Sequence, residues 1–158
     1  MTEQKTGVAG IRDKILSGHS SALAETEARL RRIAEKDTKI EAWAFLDPDY
    51  AREQARGLDR AQADGATTGL LQGIPVGIKD IIDTADMPTE NGTVLHAGRR
   101  PGRDATVVSL LRQAGAVILG KTVTTELAVY TPGKTRNPHD PERTPGGSSS
   151  GSAAAVAA

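Results

Sequence analysis

DATVVSLLRQAGAVILGKT, residues 104–122, decides the fold. Val107, Leu110, Leu111 and Ala114 recur at helical spacing after Asp104, which reads as the helix N-cap, and Gly115 stops the helix. Ala116 to Leu119 then forms a short apolar run of strand type. Upstream, Ile74-Pro75-Val76-Gly77-Ile78 is a second buried-strand run. Strand, helix and strand in alternation imply an α/β sheet. The linking stretches 85–103 and 130–147 are rich in Gly, Pro, Thr and Arg and read as loops.

The N-terminal part has a different rhythm. Ile11, Ile15 and Leu16 form a short helical stripe closed by Gly18, and Leu23, Leu30, Ile33 and Ala34 mark a second helix among charged residues. Ile40 to Leu46 alternates loosely and reads as a strand. Asp47 and Pro48 follow as N-cap and first residue of a helix that continues to residue 64, with Gly65 beyond it. These features divide the chain into an N-terminal helical region, 1–69, and an α/β region, 70–158.

The 158 residues carry 20 basic and 20 acidic side chains, so the net charge cancels and no basic cluster suggests nucleic acid or a membrane surface as a direct partner. A chain of this length can bury roughly 68–70% of its unfolded surface. Only 3% of it is aromatic (Trp43, Phe45, Tyr50 and Tyr130), which leaves Ala, Val, Leu and Ile to build the core. Without cysteine there is no disulfide, thiolate nucleophile or Cys-ligated metal. The N-terminus lacks the apolar run of a signal peptide and nothing approaches a membrane span, so a soluble, cytoplasmic protein is the expectation. His19, His96 and His139 lie in loop-like surroundings without metal-ligand spacing; neither metal nor cofactor is expected.

Three motifs carry chemical content. GAVILGKT (115–122) satisfies the phosphate-loop pattern G-x-x-x-x-G-K-[ST] in text only. A phosphate cradle needs a loop between its glycines, with a strand before and a helix after, whereas here the helix comes first and AVIL is strand-like. TPGGSSSGS (144–152) has the composition of a flexible linker. It is short, however, and runs straight into the helix-forming SAAAVAA, so that its backbone N–H groups and the positive end of a helix dipole could hold a polarised atom. Lys79, the third, ends the Gly73–Ile78 run. A lysine at a strand exit is ordinarily solvated. Here the apolar approach is able to bury it, and alternation puts it on the face of Gly77, with open space beside it, and opposite Asp80. Burial facing a positive helix end lowers an amine's pKa and makes a neutral base available near neutrality.

Taken together, GIPVGIKDIIDT (73–84), DATVVSLLRQAGAVILGKT (104–122) and TRNPHDPERTPGGSSSGSAAAVAA (135–158) strongly resemble the amidase signature family of serine hydrolases. The resemblance covers most of residues 70–158 and is loose over 10–65. It implies the amidase signature fold, a mixed central sheet flanked by helices, and a Ser-cisSer-Lys mechanism that cleaves a carboxamide C–N bond. Lys79 would be the general base. Ser148, joined to Gly147 by a cis peptide, would relay the proton, and Ser149 would donate a supporting hydrogen bond towards the lysine. Gly146 and Gly147 are the structural glycines of the signature.

The family's nucleophile lies in a later GGS-type segment whose amides also form the oxyanion hole. This sequence has one Gly-Gly-Ser, at 146–148, and ends eight residues after Ser150 on an apolar, uncapped helix. The expectation is therefore the first part of a longer enzyme, without the nucleophile and inactive as 158 residues alone. Residues 77–93 look most like malonamidase-type amidases, and the short stretch Glu126 to Lys134 favours a free amidase over the glutaminase subunit of a tRNA-dependent amidotransferase. A small-molecule amide is the expected substrate, and a homodimer one expectation for the full-length protein. An inert structural remnant is the alternative from another class.

Overall fold

The computed structural model describes residues 7–66 and 69–158. The 69/70 boundary therefore adjoins residues 67–68, which, like 1–6, lie outside the described residues. The elements are α1 (Val8–Leu16), α2 (Ala22–Ile40), β1 (Trp43–Leu46), α3 (Pro48–Ala63), β2 (Pro75–Lys79), α4 (Thr106–Gln113), β3 (Val117–Thr122) and α5 (Ser150–Ala157), with short 3₁₀ turns at Val94–His96 and Glu126–Ala128. The sheet has the order β1-β3-β2, with β1 antiparallel and β2 parallel to β3. It is a small mixed sheet flanked by helices.

All six residues of β3 are buried, as a central strand covered on both faces requires. On one face Val117 and Leu119 pack with Leu30, Trp43, Ala51, Ala55 and Ala154, from α2, β1, α3 and α5. Across the sheet Ile78 and Ile118 meet Met87 and Val108 of α4. α1 docks separately, with Ile11 and Ile15 against Ile74.

Several local readings are corrected. Ile40 ends α2 instead of opening the strand, because Glu41 takes a left-handed conformation (φ 52°) and the Asp37 carboxylate accepts from the Ala42 N–H at 2.6 Å, turning the chain before Trp43. Asp104 does not cap α4. Ala105 holds that place, while the Asp104 carboxylate accepts from Ala85 N (2.7 Å) and Arg112 Nε (3.0 Å). Val108 is the buried residue of α4, whereas Val107 and Leu110 are exposed. β3 runs on to Thr122, so the GKT end of the phosphate-loop pattern is strand. Asp47 does cap α3, accepting from Tyr50 N at 3.0 Å ahead of Pro48.

Two glycines make opposite demands. A Cβ added at Gly57, inside α3, would have nothing nearer than an Arg60 guanidinium nitrogen at 4.0 Å, whereas at Gly151 a Cβ would overlap Ala42 O and Val123 N. Gly57→Ala should therefore stabilise the protein by about 0.5–1 kcal/mol. Gly151→Ala should cost about 1–3 kcal/mol, the penalty of overpacking. Thermal unfolding of the two variants should move in opposite directions; a neutral Gly151→Ala would contradict the close seating of α5.

Candidate functional site

β2 ends at Lys79, whose register partner on β3 is Thr122. From there the Lys79 amine reaches Ser148 Oγ, 2.6 Å away across 69 residues of sequence. The serine-bearing segment is tied at several points to the end of β3 and the chain just after it. Thr125 N donates to Ser148 O (3.0 Å) and Gly151 N to Val123 O (2.9 Å). Ser150 Oγ donates to the same Val123 carbonyl (3.4 Å), and Ser152 Oγ lies 2.7 Å from Thr122 Oγ1. Gly146 has φ +87°, a conformation that favours glycine, and a Cβ on Gly147 would press on Thr125 Cγ2 at 2.7 Å. A flexible linker has none of these ties, so the linker reading fails. The Gly147–Ser148 peptide is cis.

The surroundings of Lys79 differ from expectation in three ways. The side chain is half-buried. Burial draws its pKa below the ordinary lysine value of 10.5, in the expected direction. The space over Gly77 is also filled: a Cβ there would meet the Trp43 ring at 2.8 Å and Thr122 Cγ2 at 2.9 Å. Glycine at 77 admits the indole to the sheet; it does not leave a vacancy beside the amine. Finally, Ser149 is exposed at the α5 N-cap without a side-chain capping bond. Among the described residues its hydroxyl makes no hydrogen bond to Lys79, and the polar partner of the amine is Ser148.

Sequence reasoning missed the group on the opposite face. Lys121, next to the end of the central strand β3, is fully buried, and its ammonium meets three acceptors: Thr89 Oγ1 (2.5 Å), Pro88 O (3.1 Å) and Asp80 Oδ1 (3.3 Å). These match its three donors. The Asp80 carboxylate also accepts from Glu90 N at 3.3 Å, while Asp80 N donates to Thr122 O and Asp80 O accepts from Asn91 N. Burial pushes Lys121 down and Asp80 up, and each is drawn back by the other's charge. The signal is present in alternation: if Lys79 lies on one face of the sheet, Asp80 lies on the other, and an aspartate there needs a buried cation.

His19 and His96 are bonded to Ser17 Oγ (2.7 Å) and Asn91 Nδ2 (2.8 Å). Among the described residues no three His, Asp or Glu side chains gather as a metal site, and no helix is long and apolar enough to cross a membrane.

Comparison with known proteins places this geometry in context. Residues 24–158 match the family model described as Amidase. The chain is 47% identical over 165 aligned residues to a Glutamyl-tRNA(Gln) amidotransferase subunit of Thermobifida fusca (strain YX), covering 100% of this chain and 33% of that protein. Among solved structures, the native peptide amidase from Stenotrophomonas maltophilia superposes with a TM-score of 0.91 at 40% identity, over 98% of this chain and 34% of that one. An amidase family protein from Bacillus anthracis str. Ames gives 0.86 at 34% identity, again over 98% and 34%. The chain thus spans about a third of the length of the relatives it matches.

The shift at Lys79 has a measurable sign. Because the folded state binds the Lys79 proton less tightly than the unfolded state, stability rises with pH between the lowered value and 10.5. Titration of an isotopically labelled Lys79 side chain should give a midpoint below 10.5, and Lys79→Met should remove that part of the pH dependence. A midpoint at or above 10.5 would contradict the desolvated amine.

Proposed function

Since the chain belongs to the amidase signature family, we propose that it supplies the base and the proton relay of an enzyme that hydrolyses a carboxamide C–N bond. The observation that carries this reading is the 2.6 Å contact between the Lys79 amine and Ser148 Oγ, with the pKa of the amine lowered by burial. A serine hydroxyl is a weak nucleophile until a neighbouring base takes its proton. In the proposed sequence the attacking hydroxyl comes from a second glycine-rich segment of the GGS type. As its oxygen bonds to the amide carbon, its proton passes to Ser148 Oγ and the Ser148 proton to neutral Lys79. When the C–N bond breaks, the relay runs in reverse and protonates the leaving nitrogen. Water then cleaves the acyl ester by the same route, releasing carboxylate. One base with a matched pKa serves both directions.

The substrate we propose is a small-molecule amide taken up by a free amidase, and the likeness to peptide amidase supports it. The 47% identity to an amidotransferase subunit favours a second reading, in which the amide is glutamine and its ammonia passes to a tRNA-linked acceptor. Ammonia release from peptide amides and from glutamine, with and without glutamyl-tRNA(Gln), separates the two. Release from peptide amides without tRNA supports the first reading; glutamine turnover stimulated by the charged tRNA supports the second.

Within the complete enzyme, Lys79→Ala and Ser148→Ala should each lower kcat by about 10²–10⁴-fold, the range for general acid–base groups, with smaller effects on KM. Ser149→Ala should be milder, since its hydroxyl does not bridge the two. Near-normal kcat in Lys79→Ala would remove the base assignment.

A further inference from the structure

Lys79 and Asp80 are consecutive, yet their side chains serve opposite faces of the sheet. Among the described residues Lys79 meets only the neutral hydroxyl of Ser148, while Asp80 is committed to Lys121. The other ionisable groups nearby are also committed. The Asp83 carboxylate is held by both terminal nitrogens of Arg99 at 2.7 and 2.9 Å, Glu90 accepts from Gly98 N at 2.7 Å, and Glu126 from Thr93 Oγ1 at 2.8 Å. α5, which packs against β2, contributes no ionisable side chain. α2 packs there too; Arg29, Arg32 and Lys36 line the same cavity as Gly77 and Thr122, and the α2 carboxylates lining it are committed, Glu25 to Ser20 Oγ at 2.8 Å and Arg29 at 3.6 Å, and Asp37 to Ala42 N at 2.6 Å. Asp80 is thus the nearest carboxylate in sequence to the proposed base, and one buried ammonium neutralises it.

We propose that Lys121 is a positioning residue for amide hydrolysis: by binding Asp80 on the far face of the sheet, it leaves Lys79 without a counter-ion and free to lose its proton. The proposal rests on Lys79 being the base. A carboxylate favours the charged form of a nearby amine, so an un-neutralised Asp80 beside Lys79 would hold the lysine protonated and idle. The same contact has a mechanical side. Lys121 also grips Pro88 O and Thr89 Oγ1, and Asp80 receives Glu90 N, so the pair fastens the 88–92 turn to the end of β2. The direction in which Lys79 leaves the strand is thereby fixed.

The test is the pH profile of kcat/KM in the complete enzyme, read as ammonia release from glutamine and from a peptide C-terminal amide, because its acid limb reports the base in the free enzyme. Lys121→Met takes away the cation that offsets the Asp80 charge and leaves the carboxylate only the N–H groups of Glu90 and Gly92, so the comparison is made at pH values above the raised Asp80 midpoint. The substitution should move the acid limb up by about one pH unit, the size of an unscreened charge at a protein site. Asp80→Asn leaves the cation without its partner and should move the limb down. The double variant Asp80→Asn/Lys121→Met, which restores neutrality, should return it towards wild type. A purely structural role would lower activity in all three without moving the limb in opposite directions. Coincident limbs for Lys121→Met and wild type would overturn the proposal, as would a double variant displaced as far as Lys121→Met. If Lys121→Met does not fold, Asp80→Asn carries the test alone, and an unmoved limb there has the same force. Lys79→Ala run in parallel keeps the two claims apart: undiminished turnover in that variant removes the base itself, whereas an inactive Lys79→Ala with unmoved limbs removes only the role of Lys121.

Discussion

The peptide groups of Val123 hold the site together. Its N–H donates to Ala42 O, at the foot of β1, and its carbonyl receives Gly151 N and Ser150 Oγ from the start of α5. One residue beyond β3 thus joins an N-terminal strand, the central strand and the serine-bearing helix. Because a Cβ at Gly151 would collide with both Ala42 and Val123, the junction closes only with glycine there. The seating of α5 fixes Ser148, and the parallel register of β2 on β3 brings Lys79 to meet it. Neither end of the 2.6 Å contact is positioned by its own local sequence; both are set by attachment to the same strand.

The two strand lysines show how burial and partnership separate roles for one residue type. Lys121 is deeper, and buried ammonium groups persist only when paired and fully hydrogen-bonded. It has three acceptors, one of them charged. Lys79 is less buried but has a hydroxyl instead of a carboxylate as partner. Desolvation there acts without an opposing charge and lowers the cost of the neutral amine. The sheet keeps the two environments on opposite faces, so that Lys121, and not Lys79, takes the Asp80 carboxylate.

How far the sequence reveals this depends on the range of the interaction. Apolar runs and the Asp47-Pro48 start of α3 are local and legible, as is the strand–helix–strand alternation from residue 70 onward. The pairing of Lys79 with Ser148 is legible through the resemblance of its motifs, since nothing in spacing alone brings residues 69 apart together. Local pattern misleads where tertiary contacts override it. Asp104 has the composition of a cap but is recruited by Ala85 and Arg112. Gly77 suggests space where the Trp43 indole lies. Lys121 sits in a stretch whose text matches a phosphate loop, and rejecting that match leaves open how a lysine is tolerated in a central strand; the answer, Asp80, lies 41 residues away on another strand's end.

The chemistry proposed for this site depends on a neutral amine at position 79 working through the hydroxyl of Ser148. Chemical rescue of Lys79→Ala by small primary amines puts both halves of that statement to the test. Added methylamine should restore ammonia release from the amide substrate in Lys79→Ala, in proportion to its neutral fraction, and should fail to do so once Ser148 is also alanine. Rescue of equal size with and without the Ser148 hydroxyl would contradict the relay.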